Sequence, residues 1–141
     1  MQSRYPRMPG FARLLAITTI AWCAQAFAVD VKVMLTGDQE VPPVKTVGIG
    51  SGFFAIANNK SITGQVNTAG TSGTAAHIHE GAPGSSGPVV IPLTKKGDSY
   101  SVPEGTRLTD AQHAAFQAGK LYVNVHTTAN PNGELRGQLK P

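Results

Sequence analysis

Ala75-Ala76-His77-Ile78-His79-Glu80-Gly81 and Tyr122-Val123-Asn124-Val125-His126-Thr127 are the two stretches whose reading decides the fold. In extended backbone, successive side chains fall on opposite faces of a strand. His77 and His79 therefore share one face, and Ala76 and Ile78 the other. The second stretch sorts the same way, with Val123 and Val125 against Tyr122, Asn124 and His126. If the apolar faces pack inward, all three imidazoles point outward. If the two strands are also neighbours, the imidazoles gather in one cluster on the outer wall of a β-structure.

Such a cluster has a definite chemistry. Neutral imidazole binds zinc, copper and nickel well, and three such ligands with an open position make a workable site. His77, His79 and His126 are accordingly the candidate metal ligands. An all-histidine site favours copper, with zinc as runner-up, because divalent affinity peaks at copper. H-x-H alone is a weak pattern, and its competing reading is structural: His77 and His79 bonding the backbone of the 80–87 loop. His113 falls in a helical stretch and shares no strand face with the other three. Glu80 points to the Ile78 face by alternation. Asn124 can bond an imidazole or a loop carbonyl, Tyr122 packs beside them as an amphipathic cover, and Glu40 either caps a turn or reaches the cluster. Glu134 and Arg136 share a strand face and read as a surface pair, with a supporting role behind a histidine as the alternative.

Working outward, the first 28 residues read as an export signal rather than as fold. Arg4, Arg7 and Arg13 make a basic start and residues 14–22 an apolar run. Ala26-Phe27-Ala28 then supplies an A-x-A cleavage signal. The run is short for a membrane span, which takes about 20 residues. Cleavage would remove the single Cys23 and the single Trp22 and lower the formal charge from +4 to +1. The remaining domain, residues 29–141, has no disulfide, no basic stripe for nucleic acid and no membrane span after cleavage. A periplasmic or secreted location follows, with a metal ion as the expected partner and another exported protein as the further candidate.

The mature chain reads as about seven short strands and one helix. Strands are expected over residues 29–35, 48–57, 61–67, the segment holding His77 and His79, 88–93, the segment holding His126, and 134–139. Pro42 and Pro43 make residues 38–44 a connection. Thr109 is a helix N-cap with Gln112 completing a capping box, and Gly119 stops the helix, which predicts residues 109–118. This pattern argues an all-β fold, a Greek-key β-sandwich or flattened barrel.

Several motifs, in order, resemble the chordin-type (CHRD) domain family. They are Leu35-Thr36-Gly37-Asp38-Gln39-Glu40-Val41-Pro42-Pro43, Ala76-His77-Ile78-His79, Gly87-Pro88-Val89-Val90, Leu108-Thr109-Asp110-Ala111-Gln112, residues 121–127, and Gly133-Glu134-Leu135-Arg136-Gly137-Gln138-Leu139. The resemblance implies a secreted or periplasmic β-domain whose molecular role is poorly defined. A looser likeness is to copper/zinc superoxide dismutase, through the H-x-H on a strand and a distant third histidine. The bridging histidine, the zinc loop, the disulfide and the Arg-bearing electrostatic loop of that enzyme are missing, so only a metal-binding geometry is shared. No G-x-S-x-G, Cys nucleophile, phosphate-cradling loop or carboxylate pair is present, and catalysis is not the leading expectation. The alternative to metal handling is a non-catalytic module that holds another protein or a polysaccharide.

Overall fold

The computed structural model describes residues 27–141, so the export signal lies outside the described residues except for its last two positions. Alternation does what it predicts in the first strand. β1 (Ala28–Leu35) buries Val31, Val33 and Leu35 and exposes Asp30, Lys32 and Met34. It pairs antiparallel with β2 (Ile49–Ala57), which continues through a tight turn into β3 (Ile62–Ala69). β4 (Gly73–Glu80) and β5 (Val89–Pro92) begin a second sheet. β6 (Thr94–Lys96) and β7 (Ser99–Ser101) form a hairpin that returns to β3. After α1 (Asp110–Gln117), β8 (Leu121–Thr127) and β9 (Leu135–Leu139) complete the second sheet.

The result is a sandwich of a five-stranded sheet, β1-β2-β3-β7-β6, and a four-stranded sheet, β5-β4-β8-β9. Among the described residues nine strands are present rather than about seven, and they form no closed barrel. The two missed strands are three residues each and carry almost no apolar signal. Their hairpin is set by Gly97-Asp98, with Gly97 at φ +61° as the turn requires. The inner faces meet in one core. Phe54, Ile56, Val66 and Tyr100 from the first sheet face Ile78, Val123, Val125 and Leu135 from the second. Burying each large apolar side chain contributes roughly 1.5–3 kcal/mol, which is what holds a disulfide-free domain together.

The two sheets are stitched along both flanks. On one, Thr36 and Arg136 exchange backbone hydrogen bonds of 3.1 Å each way, which joins the end of β1 to β9. Gly137 permits this approach: a Cβ there would meet Val33 Cγ2 at 2.5 Å and the Met34 carbonyl at 2.6 Å. On the other flank a single extended run leaves β5 at Pro92, turns at Leu93 and becomes β6 in the opposite sheet. Strands that switch sheets at a bend are how sandwiches make corners.

The helix forms as its caps dictate. Thr109 Oγ1 accepts from the Gln112 backbone N–H at 3.1 Å, and Gln112 Oε1 accepts from the Thr109 N–H at 2.9 Å. Ala115 and Phe116 are its buried face, and Gly119 ends it at φ +67°.

Candidate metal centre

β4 and β8 are neighbours, and their register sets His77 opposite Asn124, His79 opposite Tyr122 and Ala75 opposite His126. The outer face of the four-stranded sheet therefore carries all three expected histidines. One ring nitrogen from each lies within 4.8 Å of the other two. The rings pack edge to face or tilted, with centroids 4.7 Å apart for His77–His126, 5.6 Å for His77–His79 and 6.0 Å for His79–His126.

Hydrogen bonds fix which nitrogen is available. His79 Nδ1 lies 2.9 Å from the Gly87 carbonyl, and His126 Nδ1 lies 2.9 Å from the Pro131 carbonyl. A carbonyl only accepts, so both Nδ1 atoms carry the proton and both Nε2 atoms present a lone pair. His126 Nε2 in turn accepts from His77 Nδ1 at 2.9 Å. His79 Nε2 is buried and has no hydrogen-bond partner among the described residues. Holding an imidazole by its far nitrogen is how proteins orient metal ligands. The loop-bonding role of His79 and its free Nε2 are thus compatible, because they use different ring atoms.

Burial pushes the His77 imidazole below its ordinary pKa, and the neighbouring His126 and His79 rings push the same way. Burial is also the main force lowering His79, outweighing the opposing bond to Gly87. Both rings are kept neutral, the form that binds a metal.

The site is less open than an outer wall suggests. His79 is only 8% exposed, because the 81–87 loop folds back over it. Tyr122 stacks on the His79 ring at 4.9 Å and nearly parallel, and its hydroxyl accepts from the Gly87 N–H. The expected Glu134–Arg136 surface pair does not exist; both residues are buried and serve different structures. The Arg136 guanidinium lies 3.6 Å over the other face of Tyr122. It donates to the carbonyls of Ser85 at 2.9 Å and Ala82 at 3.0 Å, and to Gln138 Oε1 at 3.0 Å. A buried cation is tolerated when its donors are filled and a π-face covers it. Arg136 thereby clamps the loop that covers His79, a role no alternation pattern reveals.

Glu134 accepts four hydrogen bonds. Oε1 takes Thr46 Oγ1 at 2.7 Å and Thr71 Oγ1 at 2.8 Å, while Oε2 takes Thr127 Oγ1 at 2.7 Å and Asn130 Nδ2 at 3.1 Å. Burial alone would raise its pKa, but these donors outweigh it and bring it to about 2. Glu40 does reach the region of the cluster, near Asn124 and Arg136, and burial raises its pKa despite both. His113 and Glu80 lie outside the histidine group.

Residues 31–139 match the CHRD domain, nearly the whole described chain, and the protein belongs to that family. No curated protein and no solved structure matches it.

Proposed function

Taking CHRD membership as the premise, we propose that this chain is exported and binds a transition metal through His77, His79 and His126, with a role in metal handling or buffering. Copper is the favoured ion and zinc the runner-up, from the affinity order of nitrogen sites. The observation that carries the reading is the pair of carbonyl-held rings whose Nε2 lone pairs lie near the third histidine. An export route fits a leader that has a basic start and an apolar run and ends in A-x-A. Cleavage after Ala28 would leave β1 nearly whole, at the loss of the Asn58 N–H bond to the Phe27 carbonyl.

Adding Cu(II) to protein purified without an affinity tag is expected to give a tetragonal nitrogen-ligand signal in electron paramagnetic resonance. A His77→Ala/His126→Ala variant with an unchanged signal would exclude the site. Ligand present at 100 times its Kd stabilises the native state by about 2.7 kcal/mol, so copper is also expected to raise the melting temperature.

A second reading, a non-catalytic module for another protein or a polysaccharide, is favoured by the outer face of the five-stranded sheet. Met34, Ile49 and Phe53 stand exposed there among Lys32, Gln65 and Asn67. A metal-free domain whose melting ignores copper supports that reading instead.

A further inference from the structure

Two buried atoms of the histidine face lack partners among the described residues: His79 Nε2 and Asn124 Oδ1. Asn124 is 2% exposed, and leaving a buried acceptor unmet costs about 1–3 kcal/mol. It stands directly across the sheet from His77 and two residues before His126 on the same face. Its carboxamide also lies beside the His79 ring, with no hydrogen bond made between them. That contact cannot be an ordinary hydrogen bond if Oδ1 faces the ring. The His79 proton is on Nδ1, committed to Gly87, so Nε2 and Oδ1 would confront each other as two acceptors.

The carboxamide orientation follows from its other neighbour. Asn124 Nδ2 and Glu40 Oε1 both crowd the space where a Cβ on Gly133 would sit, and Gly133 adopts φ +127° there. The N–H end of the amide thus lies on the Glu40 side, which leaves Oδ1 at the other end, toward the face that carries the histidines. Two lone pairs brought together in a buried place want a cation between them.

We infer that Asn124 Oδ1 is the fourth protein ligand, completing a three-nitrogen, one-oxygen site, with Glu40 as the positioning residue that holds the carboxamide in register. This rests on the metal reading above and adds to it the donor set. A neutral amide oxygen is a weak ligand, of the kind that occupies a long axial position at copper. It leaves the ion's remaining coordination position on the side of His77 and His126, which are half-exposed.

The test loads the full chain with one equivalent of Cu(II) and records the paramagnetic resonance spectrum and the affinity by chelator competition. Asn124→Leu is expected to shift g and hyperfine values along the unique axis and weaken copper binding about ten-fold. Asn124→Asp, which keeps an oxygen at the same place and adds charge, is expected to tighten it by a similar factor and guards against a Leu variant that does not fold. Glu40→Gln is expected to give a smaller shift of the same sign as Asn124→Leu. A Leu variant that is folded and keeps the wild-type spectrum and an affinity within about two-fold overturns the assignment while the histidine site stands. Wild-type protein that takes up no copper, or takes it up independently of His77 and His126, overturns the site itself.

Discussion

Glu134 and Glu40 are both buried carboxylates, separated in space by little more than Gly133, yet they sit at opposite ends of one scale. Glu134 has every lone pair in use, by three threonines and an asparagine, and its proton leaves near pH 2. Glu40 keeps an oxygen without a partner among the described residues, and its carboxyl holds its proton above the ordinary range. The first is a fastener. It ties the 46 loop, the 71 turn and the β8–β9 connection into one rim. The second belongs with Asn124 and His79, a group of acceptors short of donors. Buried polar groups are normally satisfied; of the four buried side-chain atoms without partners among the described residues three belong to this group, the fourth being the Tyr100 hydroxyl.

The contrast is easiest to break at Glu134. Glu134→Ala strands four buried or half-buried donors, and each hydrogen bond to a charged group is worth about 1.5–3 kcal/mol. A stability loss of about 3 kcal/mol or more is expected, on the order of 15 °C in melting temperature, with copper binding by the refolded protein retained. A melting shift of a few degrees would show that the fastener is ornamental.

Acid sharpens the same contrast, because the two groups have opposite signs. The folded state binds the Glu134 proton more weakly than the unfolded chain does. Its contribution is present above about pH 4.5 and disappears as pH falls toward about 2. Glu40 binds its proton more tightly when folded. Its burial therefore costs stability at neutral pH, and that cost is relieved as pH falls through its raised pKa. Calorimetry between pH 7 and pH 2 is expected to show a steep loss below pH 4.5 in wild type, and a much shallower one in Glu134→Gln.

Glu40→Gln is the smallest effect. It removes a charge whose burial the fold penalises, so stability at pH 7 is expected to hold within about 1 kcal/mol or to rise. A loss as large as that of Glu134→Ala would put both residues in the same class and end the comparison.

Most of the scaffold was legible in local pattern. Val31, Val33 and Leu35 alternate with Asp30, Lys32 and Met34, and the Thr109–Gln112 box announces its helix. The histidine face was legible for the same reason: alternation acts within a strand, and only the adjacency of β4 and β8 had to be supposed. What escaped is set by distance along the chain. Thr94-Lys95-Lys96 is too short and polar to signal a strand. Arg136 reads as solvated until the 81–87 loop is seen closing over it. The four partners of Glu134 come from positions 46 to 130, and no spacing rule connects them.

Arg136 has two attachments that make it more than a loop clamp. Its main chain is the seam between the sheets at Thr36, and its side chain backs the tyrosine against which His79 lies. Any hinge motion that parted the sandwich along that seam would be delivered, through one rigid planar group and one aromatic plate, to the His79 ring. The mechanical stiffness of the domain and the shape of its histidine face are therefore one property, carried by a single residue.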